Sequence, residues 1–211
     1  PPASLPKCSA SEAGIGAALS VVPMSGWRRD DGFAPFMDGR LPFVPPSPNL
    51  RHPSALLAYP GSVLIEGTNV SEGRGTDRPF ETIGAPFIKG EQLADALNRT
   101  GLAAVEFDAA RFTPTTSKFA GEPCEGVTIW ASERPDFRPV RTGLTLLATL
   151  LRLYPDDVQF LPDTRPFFDM LTGQSWVRPA LLAGTPVPDI EARWQPGLSA
   201  FAERRQGFLL Y

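Results

Sequence analysis

Apolar residues recur at helical spacing in several segments of the chain, mainly in its second half. In Gly90–Asn98, Leu93, Ala94 and Leu97 fall on one face, which predicts an amphipathic helix. The strongest helical pattern covers 140–154, with Pro139 at its start and Pro155 at its end. Shorter helices are predicted at 167–171 and 175–182. A last helical stretch is predicted over 188–208, with a candidate interruption at Pro196 and Gly197.

Other apolar runs are short and rich in β-branched residues, which favours strands. We predict a buried strand over 17–24 and further strands over 103–107 and 127–131. Ser54 is a plausible N-cap for a helical turn over 55–59, whereas 62–65 fits either a strand or a helix. The predicted fold class is mixed α/β or α+β, with a small sheet and flanking helices.

Proline is the unusual feature of the composition, because 24 of the 211 residues are Pro and they are spread along the chain. Each one restricts φ and removes a backbone donor. We therefore predict long, ordered, Pro-rich loops rather than disorder, with the clearest one over 27–51 and polyproline-II-like stretches around Pro45 and Pro46.

Charge and chain pattern exclude several classes of protein. The net charge of −3 offers no basic surface for nucleic acid and no polybasic stripe for a membrane. No apolar run reaches the roughly 18 residues of a spanning helix. No signal peptide is visible and residue 1 is Pro, so we expect the numbering to begin inside a longer precursor or after processing.

Residues able to bind metal are scarce. His52 is the one histidine of the chain, which excludes a multi-histidine metal site, and we expect it to make a structural hydrogen bond rather than to act in catalysis. Cys8 and Cys124 lack metal-ligand spacing; they form one disulfide or remain free thiols, and the spacing does not decide between these states.

The segment 66–81 (EGTNVSEGRGTDRPFE) carries the candidate chemistry and is predicted to be a loop. Its three glycines allow sharp bends and a close approach of the backbone to a ligand. Arg side chains bind carboxylates in bidentate fashion, and paired carboxylates carry out glycoside hydrolysis. The polar side chains of the segment include three glutamates, two guanidiniums and four neutral groups: Glu66, Glu72, Glu81, Arg74, Arg78, Asn69, Ser71, Thr68 and Thr76.

A simpler interpretation is a solvated surface loop whose Glu and Arg side chains pair with one another. A phosphate loop is disfavoured because the GxxxxGK[ST] spacing is absent. Among the tryptophans, Trp27 follows a flexible Ser-Gly pair and is the better candidate for stacking on a sugar. For Trp130 and Trp176, which lie inside predicted elements, we expect a place in the core.

Several motifs together resemble one family, the exo-β-N-acetylmuramidases of the NamZ kind, formerly a conserved domain of unknown function. The resemblance covers about residues 19–211, and the long polar loop is its most specific part. Its motifs are VVPMSGWRR at 21–29, PPSPN at 45–49, YPG at 59–61, EGTNVSEGRGTDRPFETIGAPF at 66–87, FTPTTSK at 112–118, CEGV at 124–127, DMLTG at 169–173 and LLY at 209–211.

This resemblance implies removal of terminal N-acetylmuramic acid from the non-reducing end of peptidoglycan fragments, without metal or cofactor. It also implies a two-domain enzyme with its active site between a Rossmann-like amino-terminal domain and a smaller carboxy-terminal domain. The chain then divides into a tail or linker over 1–18 and the carboxy-terminal domain over 19–211. Neither a glycine-rich βαβ run nor the acidic motif of the other domain occurs here, so we expect the main catalytic carboxylates in that domain.

On this basis the chain forms one wall of the active-site cleft. Glu72 is the candidate catalytic residue, and substrate binding is assigned to Glu66, Asn69, Ser71, Arg74, Thr76, Arg78, Glu81 and Trp27. The expected partners are muramyl sugars and the Rossmann-like domain or chain, and the substrate favours a secreted or periplasmic location. The alternatives are a carbohydrate-binding module without chemistry and an interaction domain that docks through 42–53.

Overall fold

The computed structural model describes residues 14–16, 18–26, 28, 32–162 and 166–209. Within these residues the chain forms seven α-helices and two 3₁₀ helices, the latter at Val63–Gly67 and Gln206–Phe208. The α-helices are α1 (Ala34–Met37), α2 (Pro53–Ser62), α3 (Gly90–Asn98), α4 (Pro139–Leu153), α5 (Phe167–Thr172), α6 (Val177–Leu182) and α7 (Val187–Arg205).

Three antiparallel strands form the sheet: β1 (Thr82–Ala85), β2 (Val105–Phe112) and β3 (Cys124–Ala131), in the order β1-β3-β2. Thr128 of the central strand lies opposite Thr82 on one side and Asp108 on the other. Side chains alternate along a strand, so Ile129 enters the core while Trp130 faces outward. Helices with a small antiparallel sheet confirm the predicted mixed α+β class.

Helix α4 is the centre of the core. Four of its leucines are almost completely buried and lie in one cluster with the apolar residues of α3 and of the sheet: Leu144, Leu146, Leu147 and Leu150. Pro139 opens this helix, because the first turn does not need the missing N–H, and the predicted range is confirmed within one residue at each end. The apolar face of α3, led by Leu93 and Leu97, packs on β2 and β3 in the same core.

Helices α2 and α4 cross at a very close distance that two glycines permit. A Cβ atom on Gly143 would lie 2.2 Å from the Gly61 carbonyl oxygen, and one on Gly61 would lie 1.9 Å from the Pro139 carbonyl oxygen. Larger residues at either position clash with backbone rather than with movable side chains. This crossing fixes the end of α2, and with it the 3₁₀ helix that leads into the loop at residue 66.

Several predicted elements need correction. The strand over 17–24 is wrong: its described residues form no strand, and all except Val21 are exposed. The apolar run has no neighbouring strand to pair with, and local preference alone does not make a sheet. Conversely, β1 was not predicted, because all four of its residues are buried and it shows no alternation.

The remaining differences concern helix ends. Helix α2 begins at Pro53, with His52 rather than Ser54 at the N-cap position, and no side chain caps it. The ambiguous residues 62–65 form the end of α2 and part of the 3₁₀ helix. Helix α7 continues through Pro196. The described residues of the Pro-rich segment, 28 and 32–51, are irregular as predicted, apart from the one-turn helix α1.

Candidate functional site

The loop 66–81 leaves the 3₁₀ helix, folds back on itself and enters β1. The Phe80 amide donates to the Glu72 carbonyl oxygen at 2.7 Å. Ser71 and Gly84 exchange two backbone hydrogen bonds of 2.9 and 3.1 Å, which attach the loop to the edge of the sheet. The predicted loop is confirmed over 68–81, whereas Glu66 and Gly67 are the last two residues of the 3₁₀ helix. The loop backbone is held at both sides of the turn.

Four charged side chains meet at this loop, three from residues 66–81 and one from a later segment. Glu72 is 2% exposed, and its carboxylate forms ion pairs with two cations, Arg74 Nε at 3.0 Å and Lys118 Nζ at 3.0 Å. Arg74 also pairs through Nη2 with Glu66 Oε1. Two carboxylates and two cations thus form one neutral network, the charge cluster, and a buried carboxylate is tolerated here because it is paired.

Lys118 is the member of the charge cluster that sequence reasoning missed. Its ammonium contacts the carbonyl oxygens of Ile65, Glu66 and Val70 at 3.2, 3.3 and 2.9 Å. Burial lowers the pKa of Lys118, and the Glu72 carboxylate opposes that shift. The signal available in the sequence was the FTPTTSK segment, which gave a resemblance but no role for its lysine.

Arg74 is the part of the charge cluster that reaches the surface, with 32% of its side chain exposed. Burial lowers its pKa, but the hydrogen bond and charge of Glu66, together with Glu72, raise the pKa overall, so the guanidinium stays charged. The guanidinium carbon lies 5.0 Å from the centre of the Phe80 ring. Phe80 has φ 66°, a strained conformation for a bulky residue that is typical of functional sites.

A second charged group lies where the loop meets β3. Glu81 is buried and accepts Arg78 Nη2 at 2.8 Å. The Arg78 guanidinium carbon also lies 4.5 Å from the Trp130 ring centre, and Trp130 Nε1 donates to Asp108 Oδ2 at 2.8 Å. Trp130 is 45% exposed, so its predicted place in the core is wrong. Side chains alternate between the two faces of a strand, and here Ile129 faces the core while Trp130 faces outward.

The neutral polar side chains of the loop hydrogen-bond within the protein. Ser71 Oγ accepts the Gly73 amide at 3.1 Å. Thr76 Oγ1 donates to the Gly73 carbonyl oxygen at 2.7 Å and accepts the Arg78 amide at 3.2 Å. These bonds maintain the shape of the loop, and the substrate contacts assigned to Ser71 and Thr76 stay predictions.

The loop glycines approach the protein's own backbone. Gly73 and Gly75 have φ 79° and 81°. Added Cβ atoms would lie 2.3 Å from the Thr82 carbonyl oxygen and 2.5 Å from the Thr116 amide nitrogen. The Gly75 carbonyl oxygen also accepts the Thr115 amide at 3.0 Å, which brings the segment with Lys118 against the loop.

Comparison with known proteins identifies the family of this domain. Residues 57–211, which include all four members of the charge cluster, match the family described as the carboxy-terminal domain of the exo-β-N-acetylmuramidase NamZ. The chain belongs to the NamZ family. The resemblance predicted from the loop and its companion motifs is thereby confirmed.

Relatives of this NamZ-family chain include longer proteins. It is 45% identical over 200 residues to the peptidoglycan β-N-acetylmuramidase NamZ of Bacillus subtilis (strain 168), a match that covers 95% of this chain and 47% of that protein. The chain therefore spans about half the length of this curated relative.

Two crystal structures of DUF1343 family proteins from Bacteroides fragilis NCTC 9343 have the same fold. Their TM-scores are 0.85 and 0.67, each at 26% identity, and both matches cover 99% of this chain. The matches cover 55% and 54% of those two chains.

Some predicted features of the NamZ-family chain lie outside the described residues or are not tested by them. Trp27 and Cys8 are outside the described ranges. Cys124 is buried, and burial raises the pKa of its thiol. In the described part of the chain, no three His, Cys, Asp or Glu side chains are arranged to hold a metal ion. No helix described here has the length and hydropathy to cross a membrane.

A large groove of about 1130 Å³ lies away from the loop, beside α4 and α7. Trp176, Trp194 and Arg193 contribute to its walls, and the Arg193 guanidinium carbon lies 4.0 Å from the Trp176 ring centre. Both tryptophans are partly buried against the core. No residue of 66–81 lines this groove, so it is separate from the charge cluster.

Asn69 joins the loop to the turn after α4 through two side-chain hydrogen bonds. Because both bonds are lost, Asn69→Ala is expected to destabilise the protein by about 1–3 kcal/mol. Its Nδ2 donates to the Asp157 carbonyl oxygen at 2.8 Å, and its Oδ1 accepts the Gln159 amide at 2.9 Å. Urea unfolding measures the loss. Binding of a muramyl sugar by the folded variant would separate this role from the predicted substrate contact, since a purely structural Asn69 leaves affinity unchanged.

Proposed function

We propose that this chain forms one wall of the active-site cleft of an exo-acting glycosidase. The enzyme would remove terminal N-acetylmuramic acid from the non-reducing end of peptidoglycan fragments outside the cytoplasmic membrane, in a secreted or periplasmic location. A Rossmann-like amino-terminal domain or chain would form the other wall. The activity named for the Bacillus subtilis relative supports this assignment, as do the charge cluster and its position within the matched domain.

The partly exposed side chain of Arg74 is the observation that carries the proposal. Two of its five N–H donors are used in the pairs with Glu66 and Glu72, which orient its plane. N-acetylmuramic acid differs from N-acetylglucosamine by a lactyl group that ends in a carboxylate. A planar, permanently charged and already oriented guanidinium is well suited to bind that carboxylate.

The role of Glu72 within this proposal stays a prediction. Its carboxylate is buried and contacts two cations, which suits the orientation of Arg74 and Lys118. A catalytic acid or nucleophile must reach the glycosidic bond, and the two carboxyl groups of such an enzyme flank the bond. We therefore expect the other domain to supply the main catalytic carboxylates, with Glu72 as the residue of this chain to be tested.

Arg74→Ala in the full-length protein is expected to weaken affinity for N-acetylmuramic acid by about tenfold or more, since one charge-assisted hydrogen bond contributes about 1.5–3 kcal/mol. Affinity for N-acetylglucosamine, which lacks the lactyl carboxylate, should change much less. Isothermal titration calorimetry with both sugars measures the difference.

Arg99→Ala is the matched control for this variant. Arg99 lies beside Asp95 on α3 with 77% of its side chain exposed, so its removal should leave both affinities unchanged. Arg74→Lys retains the charge but loses the planar fork and should recover affinity only in part. Equal affinity of the wild type and Arg74→Ala for N-acetylmuramic acid would refute the role of Arg74.

A carbohydrate-binding module without its own chemistry is the second candidate, and one observation favours it. All three glutamates of the loop, Glu66, Glu72 and Glu81, are paired with Arg or Lys side chains. Release of N-acetylmuramic acid from a chromogenic muramide distinguishes the two. Activity that requires both this chain and the amino-terminal domain supports the cleft, whereas muramide binding without hydrolysis in the full-length protein supports the module.

A further inference from the structure

Trp130 is exposed although its ring is fixed in place. Tryptophan is usually among the more buried residues, but nearly half of this one is accessible, in contrast with the partly buried Trp176 and Trp194. Its indole N–H is bound to Asp108 and one ring face lies near the Arg78 guanidinium. A fixed aromatic ring loses little conformational entropy when a ligand stacks on it.

The position of Trp130 connects it directly to the loop of the charge cluster. The Ile129 amide, one residue before Trp130, donates to the Glu81 carbonyl oxygen at 2.7 Å. Arg78, which lies over the indole, belongs to the loop as well. The loop that carries Arg74 therefore also contacts Trp130, through Arg78.

Two carboxylate residues of β2, Glu106 and Asp108, share the outward face of the sheet with the ring. Glu106 is exposed and lies directly opposite Trp130 on β2, and Asp108 is opposite Thr128. Carboxylates have about four acceptor positions, and Asp108 uses one of its oxygens for the indole N–H. An apolar ring bordered by carboxylate acceptors matches a pyranose, which has one face of C–H groups and hydroxyl donors around its edge.

We propose that Trp130 is the stacking platform for the second sugar of the glycan, the unit to which the terminal N-acetylmuramic acid is attached. Glu106 and Asp108 accept hydroxyl or amide protons from this sugar, and Arg78 holds the indole from the loop side. This subsite rests on the proposed function, because it places the second sugar next to one bound at Arg74. It makes the protein selective for glycan chains over the free monosaccharide.

Trp130→Ala in the full-length protein tests the platform. The probes are N-acetylmuramic acid alone and a sulfur-linked analogue of its β-1,4-linked disaccharide with N-acetylglucosamine. Sulfur replaces the glycosidic oxygen in this analogue, so the protein binds it without hydrolysing it, and each probe is titrated by calorimetry. The wild type should bind the disaccharide more tightly than the monosaccharide. Trp130→Ala should reduce this preference by about 3- to 10-fold, the value of one aromatic contact, chiefly through weaker binding of the disaccharide.

Two further variants separate stacking from general damage. Trp130→Phe keeps an aromatic ring and should retain most of the preference for the disaccharide. Leu182→Ala removes an apolar side chain that is 59% exposed on α6 and should leave the preference unchanged. A Trp130→Ala protein that is folded by circular dichroism and keeps the full preference would overturn the platform.

The outcomes also distinguish this inference from the function on which it rests. If the wild type binds neither sugar, the proposed muramyl-binding function fails, and the platform fails with it. If it binds the monosaccharide in an Arg74-dependent manner but shows no preference for the disaccharide, the function stands and the platform is wrong.

Discussion

Glu72→Gln is expected to lower the free energy of unfolding by about 3 kcal/mol, the lower end of the range for breaking a buried ion pair. The substitution keeps the shape of the side chain but removes the negative charge that lies 3.0 Å from both Arg74 Nε and Lys118 Nζ. Both cations are partly exposed, with 32% and 21% of their side chains accessible, so solvent compensates some of the loss. Urea unfolding of the full-length protein measures the change.

Two comparisons make this expectation specific. Asp95→Asn removes a carboxylate from the exposed pair with Arg99 and should change stability by no more than about 0.5 kcal/mol. Combining Glu72→Gln with Lys118→Met removes one charge of each sign, so the two effects should fall short of additivity by at least about 1 kcal/mol. Strict additivity would show that Glu72 and Lys118 are not energetically coupled.

Kinetics of the same Glu72→Gln protein separate the two roles considered for this carboxylate. If Glu72 orients Arg74, the substitution should raise KM for a muramide and also lower the stability of the protein. A catalytic residue lowers kcat by orders of magnitude while KM changes little. Loss of kcat in a fully stable variant would therefore place chemistry in the loop and contradict the positioning role.

Gly143→Ala is expected to destabilise the protein by about 3 kcal/mol or more, at the upper end of the overpacking range. The added methyl group would lie 2.2 Å from the Gly61 carbonyl oxygen, and backbone cannot move aside as a side chain can. Helices α2 and α4 would have to separate. Because α2 continues into the 3₁₀ helix that carries Glu66, substrate affinity should fall as well.

Gly197→Ala provides the matched control. Gly197 lies inside α7, and apart from the adjacent residues and backbone of its own helix nothing lies within 4 Å of its Cβ position. The same chemical change should therefore stabilise the protein by about 0.5–1 kcal/mol, because Ala is the better helix former and restricts the unfolded chain. Thermal unfolding of both variants is the measurement. A Gly143→Ala protein as stable as Gly197→Ala would mean that the helix crossing tolerates a wider separation.

The sequence by itself was sufficient for the elements whose pattern is local. Helices α3 and α4 were predicted nearly residue by residue because each has a visible apolar face, and prolines also flank α4. The polar composition and glycines of 66–81 predicted a loop, and its residues carried the family resemblance. The family, the fold class and the segment with candidate chemistry could therefore all be predicted from the sequence.

Tertiary structure decided whatever depends on residues far apart in the chain. The run over 17–24 has the composition of a strand, but its described residues pair with no strand. Strand β1 lacks a strand-like pattern and is held by β3, whose paired residues lie forty or more positions away in the chain. Strand formation depends on a neighbour that a local pattern does not reveal.

The same limit applies to the candidate site. Ion pairing within the loop was an open alternative from its composition, but Lys118 enters the charge cluster from another segment. Trp130 was expected in the core because it belongs to a strand, and only the sheet register shows that it faces outward beside Arg78 and Asp108. The sequence shows which residue types are present in the candidate site. Their contact partners and distances are set by the packing of segments that lie far apart in the chain.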